Sequence, residues 1–426
     1  MIVYKFGGAS VKDAVAFRNI FHILSLLQDQ EKPVVVVSAM GKTTNALEHT
    51  FKLAHQGLSY SEPLLEIQQY HQSNVQNLFP SGNHPVYKAL QEQFSSLENT
   101  LQQVRPQEDF DQQYDQVISV GELLSSVILH HFLSSQGYQN HWLDCREYVR
   151  TDATWREGRV DWERTENQIS QHLPSILENS PVITQGFIGG TTDGSTTTLG
   201  REGSDFSAAI FAYCLQAASL TIWKDVPGLL NADPKLFKDT IRYEEIAYQE
   251  AIEMAYYGAS VIHPKTVQPL AKRCIPLHVK SFLHPDKPGT VIWNCQHDRI
   301  APSFILKQNQ CLLSFHTKDF GFISEQHLSS IFQALSQHRL KINLMQNSAI
   351  SFSTCVDADK TRVEAVRAQL ADEFVILYNE PLHLFTIKNY DQPSLEKLTH
   401  GKEILLEQRS RQTYQFICRP TGDFPH

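Results

Sequence analysis

Val182-Ile183-Thr184-Gln185-Gly186-Phe187-Ile188-Gly189-Gly190, and then Thr196-Thr197-Thr198-Leu199-Gly200-Arg201-Glu202-Gly203-Ser204-Asp205, is the stretch that sets the architecture. A short β-rich run ends in glycines and hydroxyls, and the apolar helix pattern Phe206–Leu215 follows. Strand, loop and helix in that order are the signature of an α/β protein. Ser204 is placed to cap that helix. Asp205 falls in its first turn, where the macrodipole favours an acid. Arg201 carries the planar fork that clamps a carboxylate with two hydrogen bonds.

The same grammar recurs on both sides. Ile2–Phe6 runs into Gly7-Gly8, and Val34–Val37 into Ser38-Ala39-Met40-Gly41. Val117–Val120 runs into Gly121-Glu122, and Leu220–Trp223 into Lys224-Asp225. Unbroken Val/Ile runs suit strands buried on both faces of a mainly parallel sheet. Between them, Phe17, Ile20, Phe21, Leu24 and Leu27 share one helix face, as do Leu123, Leu124, Val127, Ile128 and Phe132. Ligands of such sheets sit beyond the carboxyl ends of the strands, where these polar residues fall.

Further out the texture changes twice. Residues 55–115 are rich in Gln, Ser, Glu and His and read as a mostly helical insertion lying beside the site rather than forming it. The run His284-Pro285-Asp286-Lys287-Pro288-Gly289 reads as a boundary. It divides a first domain, 1–290, from a second, 300–426. The second reads as strand Cys311–Phe315, helix Ser324–His338, strands Ile342–Met345 and Ser348–Cys355, helix Thr361–Ala371, and strands Val375–Tyr378 and Leu384–Ile387. A polar helix near Leu395–Leu406 and a strand Tyr414–Cys418 end it.

The chain has 426 residues, and Lys+Arg 37 against Asp+Glu 46 leaves a net charge of −9. That argues against a dedicated nucleic-acid binder, whose footprint is basic. Seven cysteines without a CxxC pair make a poor disulfide framework and a poor zinc signature. They read as reduced thiols. The amino terminus lacks a signal-peptide pattern, and no run of about 18 apolar residues suggests a membrane span. A cytoplasmic protein without a membrane partner or a metal site is the expectation.

Lys5-Phe6-Gly7-Gly8-Ala9-Ser10 combines a cation with two glycines that allow close anion approach and unusual φ angles. A following helix would aim its amino-terminal dipole at the same anion. The Lys precedes the glycines, so this is not the GxxxxGK[ST] loop, and no GxGxxG follows the first strand. Glu122 opens a helix beyond a strand. Trp223–Lys235 is a Pro/Gly-ordered loop able to line a cleft. Gly258 reads as a helix C′ residue, and His263 before Pro264 reads as structural.

Together these segments closely resemble the aspartate kinases of the amino-acid kinase family. The resemblance covers residues 1–290 and rests on Lys5–Val11, Val34–Asn45, Gly121–Ser125, Val182–Asp205, Trp223–Asp233 and Gly258–Pro264. It implies a three-layer αβα sandwich followed by a smaller α+β, ferredoxin-like ACT region whose second repeat is truncated. It implies transfer of the ATP γ-phosphoryl group to the β-carboxylate of L-aspartate, with Mg²⁺ held mainly by the ATP phosphates. By position, Lys5 and Asp205 would lie at the reacting groups. Ser38, Thr44, Glu122, Phe187, Arg201 and Ser204 would bind substrate. Lys5, Gly7, Gly8, Lys224, Asp225, Leu230, Lys235 and Ser260 would hold the nucleotide. Thr317–Ile323 resembles the ACT loop and Asn347–Ser351 its facing strand, which implies a feedback amino acid, lysine or threonine, and a homodimer. Ala9, Lys224, Leu230, Lys235 and Ser260 depart from the usual residues, mostly on the nucleotide side. We expect Lys224 to replace the cation missing at 260. A weakly active regulatory subunit, or a kinase for another acidic amino acid, are the alternatives.

Overall fold

Four consecutive valines, Val34–Val37, are fully buried, so the sheet that holds them is covered on both faces. The computed structural model describes residues 1–27, 32–259, 262–297, 300–319 and 321–420. The chain forms two units. The first is Met1–Leu229, Arg242–Ile252 and Val261–Gln296; the second is Leu230–Ile241, Glu253–Ser260 and His297–His426.

In the first unit the elements run β1 (Ile2–Phe6), α1 (Ala14–Ser25), β2 (Val34–Val37), α2 (Thr43–His55), α3 (Ser61–Leu78), α4 (Pro85–Gln103), α5 (Phe110–Ile118), α6 (Val120–Ser135), β3 (His141–Leu143) and α7 (Trp162–Leu177). They continue with β4 (Val182–Gln185), β5 (Ile188–Gly190), β6 (Thr196–Thr198), α8 (Gly203–Cys214), β7 (Ser219–Lys224), β8 (Glu245–Ala247), α9 (Tyr248–Tyr257, which belongs to the second unit from Glu253 onward), α10 (Pro264–Lys272), β9 (Leu277–Ser281) and β10 (Thr290–Trp293). The eight-stranded sheet has the order β3-β4-β2-β1-β7-β9-β10-β8. All its pairings are parallel except β9–β10. β1 is central, with Lys5 registered beside Val36 of β2 and Ile222 of β7. Alternate residues Phe6, Val35, Val37 and Ile183 join one core with α1 to α6. α8 packs against β1 and α10.

The α/β reading with a mainly parallel sheet holds. The strand at Val117–Val120 does not: those residues end α5 and begin α6, with Ser119 at the junction. A buried four-residue apolar run does not by itself separate strand from helix, and this one belongs to helices buried nearly all round. The run Phe110–Ser135 is long and apolar enough to cross a membrane by length and composition, but 83% of its window is buried inside the protein. Residues 55–115 carry α3, α4 and the first turns of α5.

The second unit carries a six-stranded antiparallel sheet. Its elements are β11 (Ser303–Thr317), α11 (Glu325–Gln337), β12 (Ile342–Asn347), β13 (Ser351–Asp357), α12 (Lys360–Leu370), β14 (Phe374–Lys388), α13 (Gln392–Thr399), β15 (Ile404–Arg409) and β16 (Thr413–Cys418). Ser324 caps α11 through a capping box. Three sequence readings change. Val375–Tyr378 and Leu384–Ile387 belong to one long strand. The polar helix ends at Thr399, and 404–409 is a strand. Residues 348–350 are a turn rather than strand, closed by the Ser348 N–H donating to the Ser351 carbonyl. The Ile323 N–H donates to Ala349 O at 3.0 Å, so the loop after β11 meets that turn. Phe320 of that loop lies outside the described residues. Ala232 and Phe237 pack with Phe385, Leu398 and Phe416 in this unit's own core.

Candidate functional site

The carboxyl ends of β1 and β2 and the amino ends of α6 and α8 converge on one cavity of about 580 Å³ in the first unit. Lys5, near the end of β1, is only 6% exposed. Its ammonium lies 2.5 Å from Asp205 Oδ1. Lys224, ending β7, lies 3.2 Å from Asp205 Oδ2 and 3.9 Å from Glu202 Oε2. Asp205 is thus a fully buried carboxylate between two cations. Burial alone raises its pKa, but Lys5 and Lys224 outweigh that and hold it at about 2. Burial pulls the Lys224 ammonium down, and Asp205 with Glu202 more than restores it.

Glu122, in the first turn of α6, has the opposite environment. Its Oε1 accepts from the Ala39 N–H at 3.2 Å, while Oε2 is buried without a partner among the described residues. Burial pushes its carboxyl up to about 8, against the pull of the Ala39 N–H and the Lys5 charge. A buried acceptor left open costs energy until a donor arrives. A ligand ammonium is such a donor, and it would return the group to its ionised form.

Backbone geometry shapes the remaining walls. Gly8 lies so close to the β2 loop that a Cβ would stand 3.1 Å from Gly41 O and 3.2 Å from Ala39 O. Gly7 has an ordinary extended φ of −77°, so close approach, not unusual φ, is the reason for this pair. The α1 dipole is also not free: Asp13 caps it and Asn74 Oδ1 takes the Ala14 N–H at 3.0 Å. Like α2 and α6, α8 starts without a side-chain cap. Ser204 lies inside that helix rather than at its cap, because Glu202 takes the cap position at φ 56°. Arg156, Phe187 and Glu202 all line the cavity with positive φ (65°, 69° and 56°). Backbone strain of this kind costs about 1–3 kcal/mol each and gathers at functional sites.

The cavity lining includes Lys5, Gly8, Ser38, Thr44, Glu122, Phe187, Arg201, Ser204 and Asp205 of the expected residues. Arg201 is exposed at its mouth. Lys224 reaches it through Asp205. Asp225 is exposed and is not among the lining residues. Leu230 and Lys235 belong to the second unit, and Ser260 lies outside the described residues. The sequence reading missed Tyr114, Arg156 and Asn45 as lining residues. Tyr114 ends the insertion, so the insertion supplies part of the wall. Its hydroxyl donates to Glu48, and the Arg156 guanidinium sits 4.3 Å from its ring centre. No local pattern marks Tyr114 or Arg156, which meet only through the tertiary fold.

The amino acid kinase family matches residues 1–281. The chain is 32% identical over 360 residues to lysine-sensitive aspartokinase 3 of Escherichia coli (strain K12), covering 84% of this chain and 78% of that one. It is 31% identical over 373 residues to chloroplastic aspartokinase 1 of Arabidopsis thaliana, covering 84% and 63%. Two solved structures of E. coli aspartokinase III superpose at 27% identity. The T-state with lysine and aspartate gives a TM-score of 0.82 over 98% of this chain and 95% of that one. The R-state with aspartate and ADP gives 0.83 over 98% and 96%.

Proposed function

The chain belongs to the amino acid kinase family, and on that footing we propose that it is an aspartate kinase. It transfers the γ-phosphoryl group of ATP to the β-carboxylate of L-aspartate, giving 4-phospho-L-aspartate. The observation that carries this reading is the pairing, in one cavity, of a buried Lys5–Asp205–Lys224 cluster with the unpartnered Glu122 oxygen. The first suits phosphoryl chemistry, and the second suits an amino acid's ammonium.

A carboxylate is already ionised at neutral pH, so the acceptor needs no general base. The barrier is to bring two anions together and to stabilise charge on the transferring group. Lys5 supplies a cation there without reorganisation, because Asp205 and its place in β1 already fix it. The uncapped start of α8 and Arg201 take the substrate's α-carboxylate. Glu122 takes the ammonium, and Thr44, Ser38, Phe187 and Ser204 close the pocket around it. Gly7 and Gly8 let the phosphates approach the backbone. Lys224 and Asp225 serve the nucleotide by their positions in the chain. Mg²⁺, carried by the triphosphate, neutralises phosphate charge when bound, and the buried lysines of this site suit such an anionic load.

The second unit reads as the ACT-like regulatory region, with lysine as the favoured effector and a homodimer as the assembly. The lysine-bound structure of the E. coli relative supports the choice of lysine. A hydroxamate trap with MgATP tests the whole reading. Product is expected from L-aspartate, not from L-glutamate or N-acetyl-L-glutamate, and lysine is expected to suppress it more than threonine does. ATP binding without product from any acceptor would overturn the kinase reading.

A further inference from the structure

Asp115 of α5 is fully buried and belongs to no role assigned above. Its Oδ2 accepts from the Arg156 N–H and from the Thr198 N–H, both at 2.9 Å. Its Oδ1 accepts from the Thr198 hydroxyl at 2.7 Å. The next residue does the same for the same strand: Gln116 Nε2 donates to Thr196 O at 2.7 Å, and Gln116 Oε1 accepts from Thr196 N at 3.1 Å. Two consecutive side chains of a helix thus serve the edge of β6 as a neighbouring strand would. β6 runs directly into Leu199, Gly200 and Arg201. The Arg156 turn is held at the same point, and a Cβ on Gly200 would lie 3.2 Å from Arg156 O.

We propose that Asp115 is the positioning residue of the acceptor site, fixing β6 and the Arg156 turn and thereby the Arg201–Asp205 segment that receives the amino-acid substrate. This rests on the aspartate-kinase reading above. Asp115 touches no substrate; it acts through the two backbones that it ties together. Among the described residues β6 pairs as a strand with β5, in a two-stranded ribbon of three residues each. Such a ribbon is marginal alone, and the α5 side chains hold its β6 edge together with the Gly158 N–H on Thr198 O and the Thr151–Thr197 hydroxyl contact. The clamp's own hydrogen bonds end at Arg156 and Thr198, and on the nucleotide side Lys224 meets only the far end of the segment, at Glu202 and Asp205. The predicted effect is therefore larger on the acceptor than on the nucleotide.

Steady-state kinetics of Asp115→Ala and Asp115→Asn in the full-length protein test it. Asp115→Ala is expected to raise KM for L-aspartate by about tenfold to a hundredfold, with KM for ATP within about twofold. Asp115→Asn is expected to recover most of the loss. Its amide oxygen can accept both N–H groups, and its NH₂ can donate to the rotated Thr198 hydroxyl. Equal KM values for aspartate in Asp115→Ala and wild type, or an equal rise in both KM values, would overturn the proposal. If Asp115→Ala fails to fold, Thr198→Val replaces it. That variant should raise KM for aspartate roughly threefold through loss of one hydrogen bond, and no change would overturn the idea. Hydrogen exchange over residues 196–205 separates this proposal from the function itself. Faster exchange in Asp115→Ala but not in Asp115→Asn supports the clamp even if wild type proves inactive on aspartate, and unchanged exchange refutes it even if wild type is active.

Discussion

Glu122 and Asp205 are two buried carboxyl groups in one cavity with opposite settings. Asp205 is held at about 2 by two lysines, whereas Glu122 is pushed up to about 8 by burial. An unperturbed Glu titrates near 4.5. The folded chain therefore keeps a proton on Glu122 that the unfolded chain releases between those two values. The stability tied to that proton is full below about pH 4.5 and is lost as pH rises through about 8. Glu122→Gln removes the dependence. Its melting temperature should fall less than that of wild type between pH 5 and pH 8, approximately the span set by these values. In its proposed role, Glu122 must ionise to meet the substrate ammonium. Calorimetry in buffers of different ionisation enthalpy should then show proton release on aspartate binding at pH 7, absent in Glu122→Gln. Lys224 has a second part beside the nucleotide role that its position suggests. It is one of the two cations on Asp205, so Lys224→Ala should cost stability, on the order of 1–3 kcal/mol in chemical denaturation. A KM for ATP equal to wild type in that variant would also refute its role as a stand-in for the cation missing at 260.

Among elements, the β4–β5 turn and α8 fit so closely that only glycine serves between them. A Cβ on Gly186 would lie 2.7 Å from Ser204 Cβ and 2.8 Å from Ser204 Cα. Gly186→Ala should therefore displace the start of α8 and Asp205 with it. Overpacking of this kind costs about 1–3 kcal/mol, and kcat should fall more than stability alone explains. The strand ends were legible in the sequence because Val/Ile runs followed by Gly, Ser or Lys are local signals. Lys5, Ser38 and Lys224 could be placed from them. Val117–Val120 misled because a buried helix and a buried strand share the same apolar run, although Glu122 still reached the site from the start of α6. Tyr114, Asp115 and Arg156 were not legible. Their meaning lies in contacts 41 and 83 residues apart in the chain, at Arg156 and Thr198. Resemblance supplied the roles of Glu122 and Arg201, which spacing alone left open.

At the scale of the whole molecule, catalysis is assigned to the first unit and effector binding to the second. If lysine binds the folded chain, it should raise the melting temperature. Saturation at about 100 times its dissociation constant contributes roughly 2.7 kcal/mol. Thermal shifts with lysine, threonine and no ligand check this, and no shift with lysine would remove it as the effector. In the proposed reaction this cavity phosphorylates the side-chain carboxylate of aspartate. Trapping the product of L-aspartate and MgATP with hydroxylamine, and resolving α- from β-hydroxamate by mass spectrometry, tests that claim most directly. β-Hydroxamate alone is expected, with Lys5→Ala lowering its rate by roughly 10²–10³. α-Hydroxamate, or no hydroxamate from protein that binds ATP, would contradict it.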